Sequence, residues 1–110
     1  MRDLTTQDEV DELLRAPAAV LLKHGAHCTV SAAARDEIAI FVAENPEVPV
    51  GGIEVTGQRP LSDYIAERLG VAHASPQVFV LSGGEVRWRA SHREIRSVAL
   101  ATHLSRGAST

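Results

Sequence analysis

At 110 residues, 45% apolar and 23% charged, the chain has the size and composition of one folded domain and is too short for two. Its 11 basic residues are scattered among 14 acidic ones, for a net charge of −3, which argues against an electrostatic nucleic-acid binder. One cysteine excludes an intrachain disulfide framework, and no apolar run approaches the ~20 residues that span a bilayer. The expectation is a free thiol in the reducing cytoplasm, with neither nucleic acid nor membrane as partner.

The opening Met1-Arg2-Asp3-Leu4 leads into an acidic helical pattern, not an apolar signal segment. Residues 6–16 read as a helix: Thr6 and Glu9 have capping-box spacing, Val10, Leu13 and Leu14 form a stripe, and Pro17 stops it. Residues 18–23 are a continuous apolar run of strand length, as in a central strand covered on both faces. Residues 29–44 place Val30, Ala34, Ile38, Phe41 and Val42 at helical spacing with Arg35, Asp36 and Glu37 outward, and Asn45-Pro46 ends the helix. Residues 48–55 suggest a second strand, weakened by Pro49, Gly51 and Gly52.

Residues 60–70 form the next helix, with Pro60 in its first turn, Leu61, Ile65 and Leu69 on one face, and Gly70 closing it. Strands over 77–82 and 85–90 are joined through Gly83-Gly84, a hairpin signal in which Val86, Trp88 and Ala90 alternate with Arg87 and Arg89. Trp88 and the Leu61, Ile65, Leu69 stripe read as packing residues. The last helix is predicted to open at Ser91, with Glu94 completing a second capping box and Ile95, Val98 and Thr102 inward; residues 106–110 are predicted to fray.

The order α-β-α-β-α-β-β-α makes the early strands parallel and the hairpin antiparallel. It predicts a thioredoxin-like three-layer α/β sandwich: a four-stranded mixed sheet, helices on both faces and an extra N-terminal helix. The domain would span 1–110 with its core in 18–105.

Cys28 falls where the first strand gives way to a helix, facing unpaired backbone N–H groups and the positive end of the helix dipole, both of which favour a thiolate. The alternative is an inert buried cysteine. Ser31, one helical turn on, could donate its hydroxyl to the thiolate or simply face solvent; Thr29 has the same two readings. His27 and His24 flank the thiol, and a protonated imidazole there would lower its pKa, though either could be an ordinary loop histidine. His24, His27, Cys28 and a nearby His73 could in principle ligate a metal, but the spacing fits no zinc pattern and no metal is assigned. Without a second cysteine, any redox cycle needs an external thiol.

Three features resemble the thioredoxin superfamily. Cys28-Thr29-Val30-Ser31 is similar to the Cys-x-x-Ser loop of monothiol glutaredoxins, Ser75-Pro76 before a strand matches that fold's cis-proline position, and Ser91-His92 falls where glutaredoxins open their last helix onto the thiol ligand. More closely, the chain resembles the YtxJ family of monothiol bacilliredoxins (the bacilliredoxin C type). The matching stretches are Lys23-His24, Ile65-Ala66-Glu67-Arg68-Leu69-Gly70-Val71, His73-Ala74-Ser75-Pro76-Gln77-Val78 and Ala90-Ser91-His92, within residues 18–96. The family's usual Thr-Cys-Pro-x-Ser is here His27-Cys28-Thr29-Val30-Ser31.

The resemblance implies a thiol–disulfide oxidoreductase that takes bacillithiol from S-thiolated client proteins through nucleophilic Cys28. No prosthetic group is implied; bacillithiol or another low-molecular-weight thiol is the co-substrate. Ser75 and Pro76 would offer a backbone edge to the substrate. Ser91 and His92, with Lys23 and Arg93 as further candidates, would receive its carboxylates at a helix N-terminus. Two rivals stay open: an iron–sulfur cluster held through Cys28 and an external thiol, and a redox-inactive adaptor on the same fold. Neither the recycling donor nor the oligomeric state has a signature in the sequence.

Overall fold

A computed structural model describes residues 1–26 and 28–108. Nine regular elements follow in chain order: β1 (Arg2–Asp3), α1 (Gln7–Leu14), β2 (Ala19–His24), α2 (Thr29–Glu44), β3 (Val50–Glu54), α3 (Arg59–Leu69), β4 (Gln77–Ser82), β5 (Glu85–Ser91) and α4 (Ser97–Ala108), with a 3-10 turn over His92–Glu94. The sheet has five strands in the order β1-β3-β2-β4-β5. The β1/β3 and β3/β2 pairs are parallel; β2/β4 and β4/β5 are antiparallel. The fold class is the expected one, but the expected four strands become five. Two-residue β1, on the edge of β3, is too short to show alternation in the sequence.

β2 sits in the middle of the sheet and is buried along its whole length, which explains its unbroken apolar run. Its side chains alternate between two cores. Ala19 and Leu21, with Phe79 and Leu81 of β4, pack under α1 and α3 against Val10, Leu14 and Ile65. Val20 and Leu22, with Val78 and Val80, pack under α2 and α4 against Ala34, Ile38, Phe41 and Leu100. In β3 the two glycines admit neighbours: a Cβ on Gly51 would lie 2.8 Å from Leu4 Cδ1 and 3.0 Å from Leu13 Cδ2. Gly51, read from sequence as a weakness, is where α1 and the Leu4 segment close onto the sheet, and a Cβ on Gly52 would lie 2.5 Å from the Met1 sulfur.

The local signals at helix ends were sound, with one exception. Thr6 and Glu9 form the capping box of α1, and Gly70 closes α3 at φ 67°. Trp88 packs beside the second core and stacks on His103 of α4, ring centroids 4.4 Å apart. The exception is the last helix. β5 runs on through Ser91, which pairs with Gln77, and His92 N–H donates to Pro76 O at 3.1 Å. His92 then takes φ 55°, the 3-10 turn follows, and α4 opens only at Ser97. Ser91 makes no side-chain cap bond, so the second capping box does not form. The register shifts accordingly: Ile95 and Leu100 are buried, Val98 is 75% exposed and Thr102 is exposed. α4 is helical through Ala108, and the part of the expected fraying that falls on 109–110 lies outside the described residues.

Candidate active site

The C-terminal end of β2 delivers the chain to Gly25, Ala26 and Cys28. The antiparallel register Lys23↔Gln77 brings Pro76 beside that end, and Gln77↔Ser91 brings Ser91 and His92 next to Pro76. Cys28, the Ser75-Pro76 bond, which is cis, and the turn after β5 therefore share one end of the sheet. Strand pairing sets most of this convergence: Pro76 and His92 each adjoin a paired strand directly, and Cys28 follows four residues after the end of β2.

Cys28 is exposed and occupies the N-cap position of α2, φ −102° and ψ 127°. It makes no conventional side-chain cap bond. The Ser31 backbone N–H, then that of Val30, nevertheless hold its pKa below that of an ordinary thiol; desolvation opposes them, and the Ser31 hydroxyl and then the Arg35 charge add lesser lowering effects. These are the free amides of a helix N-terminus acting on a charge that caps them. An exposed thiol with a depressed pKa is the form that attacks disulfides.

Ser31 is 1% exposed, so the solvent-facing alternative is excluded. Its Oγ accepts from Gly25 N–H at 2.9 Å, which leaves the hydroxyl proton for the sulfur. Two residues missed in the sequence tie down the same loop. Arg35 donates to Gly25 O at 2.8 Å. Glu54, at the end of β3, accepts from Ala26 N–H at 3.1 Å and from the Thr56 and Gly57 amides at 3.0 and 2.8 Å. The Gly57 bond is the main reason its pKa falls to about 2. Cys28, Ser31 and Arg35 at i, i+3, i+7 share one helix face, a signal that was available; Arg35 instead read as an outward charge. No sequence signal pairs Glu54 with a loop twenty-eight residues earlier.

Thr29, exposed, lines a cleft of about 480 Å³ with Val30, Ala33, His92, Arg93 and Arg96. His92 is exposed; Ser75 and Ser91 are half-buried, and Pro76 is buried. His27 lies outside the described residues. His24 is buried, and burial together with the Arg35 charge pushes its pKa down, against the pull of Glu54 and Asp3, so it carries no positive charge to the thiol. Among the described residues no group of three or more His, Cys, Asp or Glu is arranged to hold a metal.

Two expectations need correction. Lys23 is wholly buried on the α1/α3 side of β2, and its Nζ donates to Ser62 O at 3.1 Å with His73 Nδ1 at 3.4 Å. A strand alternates its side chains, so Lys23 and His24 cannot both face α2, and the ammonium meets no open substrate site. The helix N-terminus expected at Ser91–His92 is displaced to Ser97, whose N–H is already taken by Glu37 Oε1 at 2.8 Å. That bond is the chief cause of the lowered Glu37 pKa. The cation-lined cleft before α4, rather than a helix end, is what the structure presents beside Cys28.

The family model for the monothiol bacilliredoxin BrxC matches residues 2–100. The chain belongs to the monothiol bacilliredoxin family. Among solved structures, this bacilliredoxin is similar to a candidate oxidoreductase with a thioredoxin fold: 32% identity, TM-score 0.87, covering 93% of this chain and 91% of the other. It shares the fold alone with the thioredoxin of Fasciola hepatica (17% identity, TM-score 0.77, coverage 97% and 99%) and with mitochondrial thioredoxin 3 of Saccharomyces cerevisiae (13% identity, TM-score 0.77, coverage 96% and 94%). A bacilliredoxin with one cysteine is a monothiol thiol–disulfide oxidoreductase. No helix among the described residues is long and apolar enough to cross a membrane.

Proposed function

We propose that this protein removes bacillithiol from S-thiolated client proteins in the cytoplasm, through Cys28 and without a prosthetic group. The observation that carries the reading is the exposed Cys28 sulfur at the N-cap of α2, favoured as a thiolate by the Ser31 and Val30 amides, in a chain with no second cysteine. The thiolate attacks the bacillithiol sulfur of a client–bacillithiol mixed disulfide. A Cys28–bacillithiol S–S bond forms as the client's S–S bond breaks, and the client sulfur leaves as a thiolate that takes a proton from solvent. A second low-molecular-weight thiol, or a partner redoxin, then attacks the adduct, becomes disulfide-linked itself and releases Cys28. The same stabilisation that ionises Cys28 makes it a good leaving group in that second exchange.

The cleft lined by His92, Arg93 and Arg96 suits the malyl carboxylates of bacillithiol, and the half-buried Ser75 and Ser91 flank the cis peptide where an extended disulfide would lie. Lys23 takes no part. The test is turnover on a bacillithiolated client. Cys28→Ala should abolish release and Ser31→Ala should slow it; full turnover by the Cys28→Ala variant would falsify the mechanism.

A further inference from the structure

His24 and Arg35 form a contact that thiol exchange does not require. The His24 ring, 8% exposed, lies under the first turns of α2 with Nδ1 3.1 Å from NH1 of Arg35. A guanidinium has only donors, so Nδ1 is the acceptor and the ring proton is on Nε2. The same NH1 donates to Gly25 O. One nitrogen therefore joins the last residue of β2 to the first residue of the loop that carries the thiol. A helix side chain leans toward the N-terminus of its helix, which is how a residue two turns into α2 reaches back over the loop.

We infer that Arg35 is a positioning residue for Cys28: clamped between the buried His24 ring and the Gly25 carbonyl, its guanidinium fixes the thiol-bearing loop and places a cation behind the thiolate. The inference rests on the reading of Cys28 as the nucleophile. The clamp works because His24 is a neutral acceptor. A charged imidazole would have no lone pair at Nδ1 and would repel the guanidinium. The other charged groups around it are Glu54 and Asp3, which act on His24, and Asp36 and Glu37, the neighbours of Arg35 on α2. Gly25 N–H on Ser31 and Ala26 N–H on Glu54 hold the loop from its other sides, but neither supplies a positive charge.

The test is the pH profile of Cys28 alkylation by iodoacetamide, an uncharged reagent, in the full chain. At neutral pH, Arg35→Gln should react roughly threefold more slowly than the parent, with its profile moved to higher pH. Arg35→Lys, which keeps the charge but not the fork, should fall between the two. Added salt should slow the parent more than Arg35→Gln. His24→Phe, apolar and suited to a buried site, removes the ring acceptor and should move the profile in the same direction. Unmoved profiles in folded Arg35→Gln and His24→Phe, checked by circular dichroism, would overturn the assignment. Alkylation consumes no bacillithiol, so a failure of the de-thiolation reading leaves this result separate.

Discussion

The ammonium of Lys23, wholly buried in the middle of the sheet, lies 3.4 Å from Nδ1 of His73 in the loop that leads to Pro76. Ser62 Oγ reaches the same nitrogen at 2.9 Å. Burial pushes the Lys23 pKa down against the pull of Asp63, which marks the charged form as costly where it sits. Lys23→Met keeps the linear stem and removes that charge. It should leave the protein as stable or stabilise it by about 1 kcal/mol, read as an unchanged or raised denaturation midpoint. A clearly lowered midpoint would show that the Ser62 and His73 contacts outweigh the cost of burial.

Acid stability follows from the two histidines near this end of the sheet. Burial is the first cause of the lowered pKa of both His24 and His73; Arg35 adds to it at His24, Lys23 and Arg59 at His73. The unfolded chain therefore takes up these protons first. Their contribution is complete above the unfolded value of 6.5 and declines as pH falls through it toward the lower folded values. Urea midpoints should drop between neutral and mildly acidic pH, and His73→Asn should flatten part of that slope. A slope identical to the parent's would remove His73 from the explanation. Glu9 and Glu54, both held at about 2, lose their contribution only at lower pH.

Gly51→Ala tests the close approach of α1 to the sheet. The added Cβ would meet Leu4 Cδ1 at 2.8 Å, and Leu4 is 2% exposed with little room to turn away. Overpacking of this kind costs about 1–3 kcal/mol. Chemical denaturation at neutral pH measures it; an unchanged midpoint would mean that the Leu4 segment yields freely.

Glu37→Ala tests what starts α4. The carboxylate holds the Ser97 amide and the Arg96 side chain, so its loss should cost about 1 kcal/mol, the usual cost of removing a helix cap. Amide exchange at Ser97 and the residues after it should quicken in the variant, whereas exchange in α1 should not change.

Most of the fold was legible because its signals are local. The Thr6/Glu9 box, Gly70, the Gly83-Gly84 turn and the unbroken run of β2 each report a structure within a few residues of themselves. Cys28 and Ser31 were legible for the same reason, being one turn apart at a helix start. What the sequence hid depends on contacts between distant segments. Ser91 with Glu94 has the pattern of a cap, but pairing with Gln77 and Pro76 keeps Ser91 in the sheet, and Glu37 of α2 caps the helix instead. Lys23 reads as a candidate for the substrate's carboxylates and His24 as a flank of the thiol, yet alternation along β2 sends the two to opposite faces of the sheet. Arg35 and Glu54 carried no chemistry until the loop between them was built.

In the proposed exchange the Cys28 sulfur itself receives the small thiol. Mass spectrometry of reduced protein mixed with a bacillithiolated client, with no recycling thiol present, tests it directly. Client protein should lose bacillithiol as an equal amount appears disulfide-linked to Cys28. A client released at the same rate with Cys28 still a free thiol would contradict it.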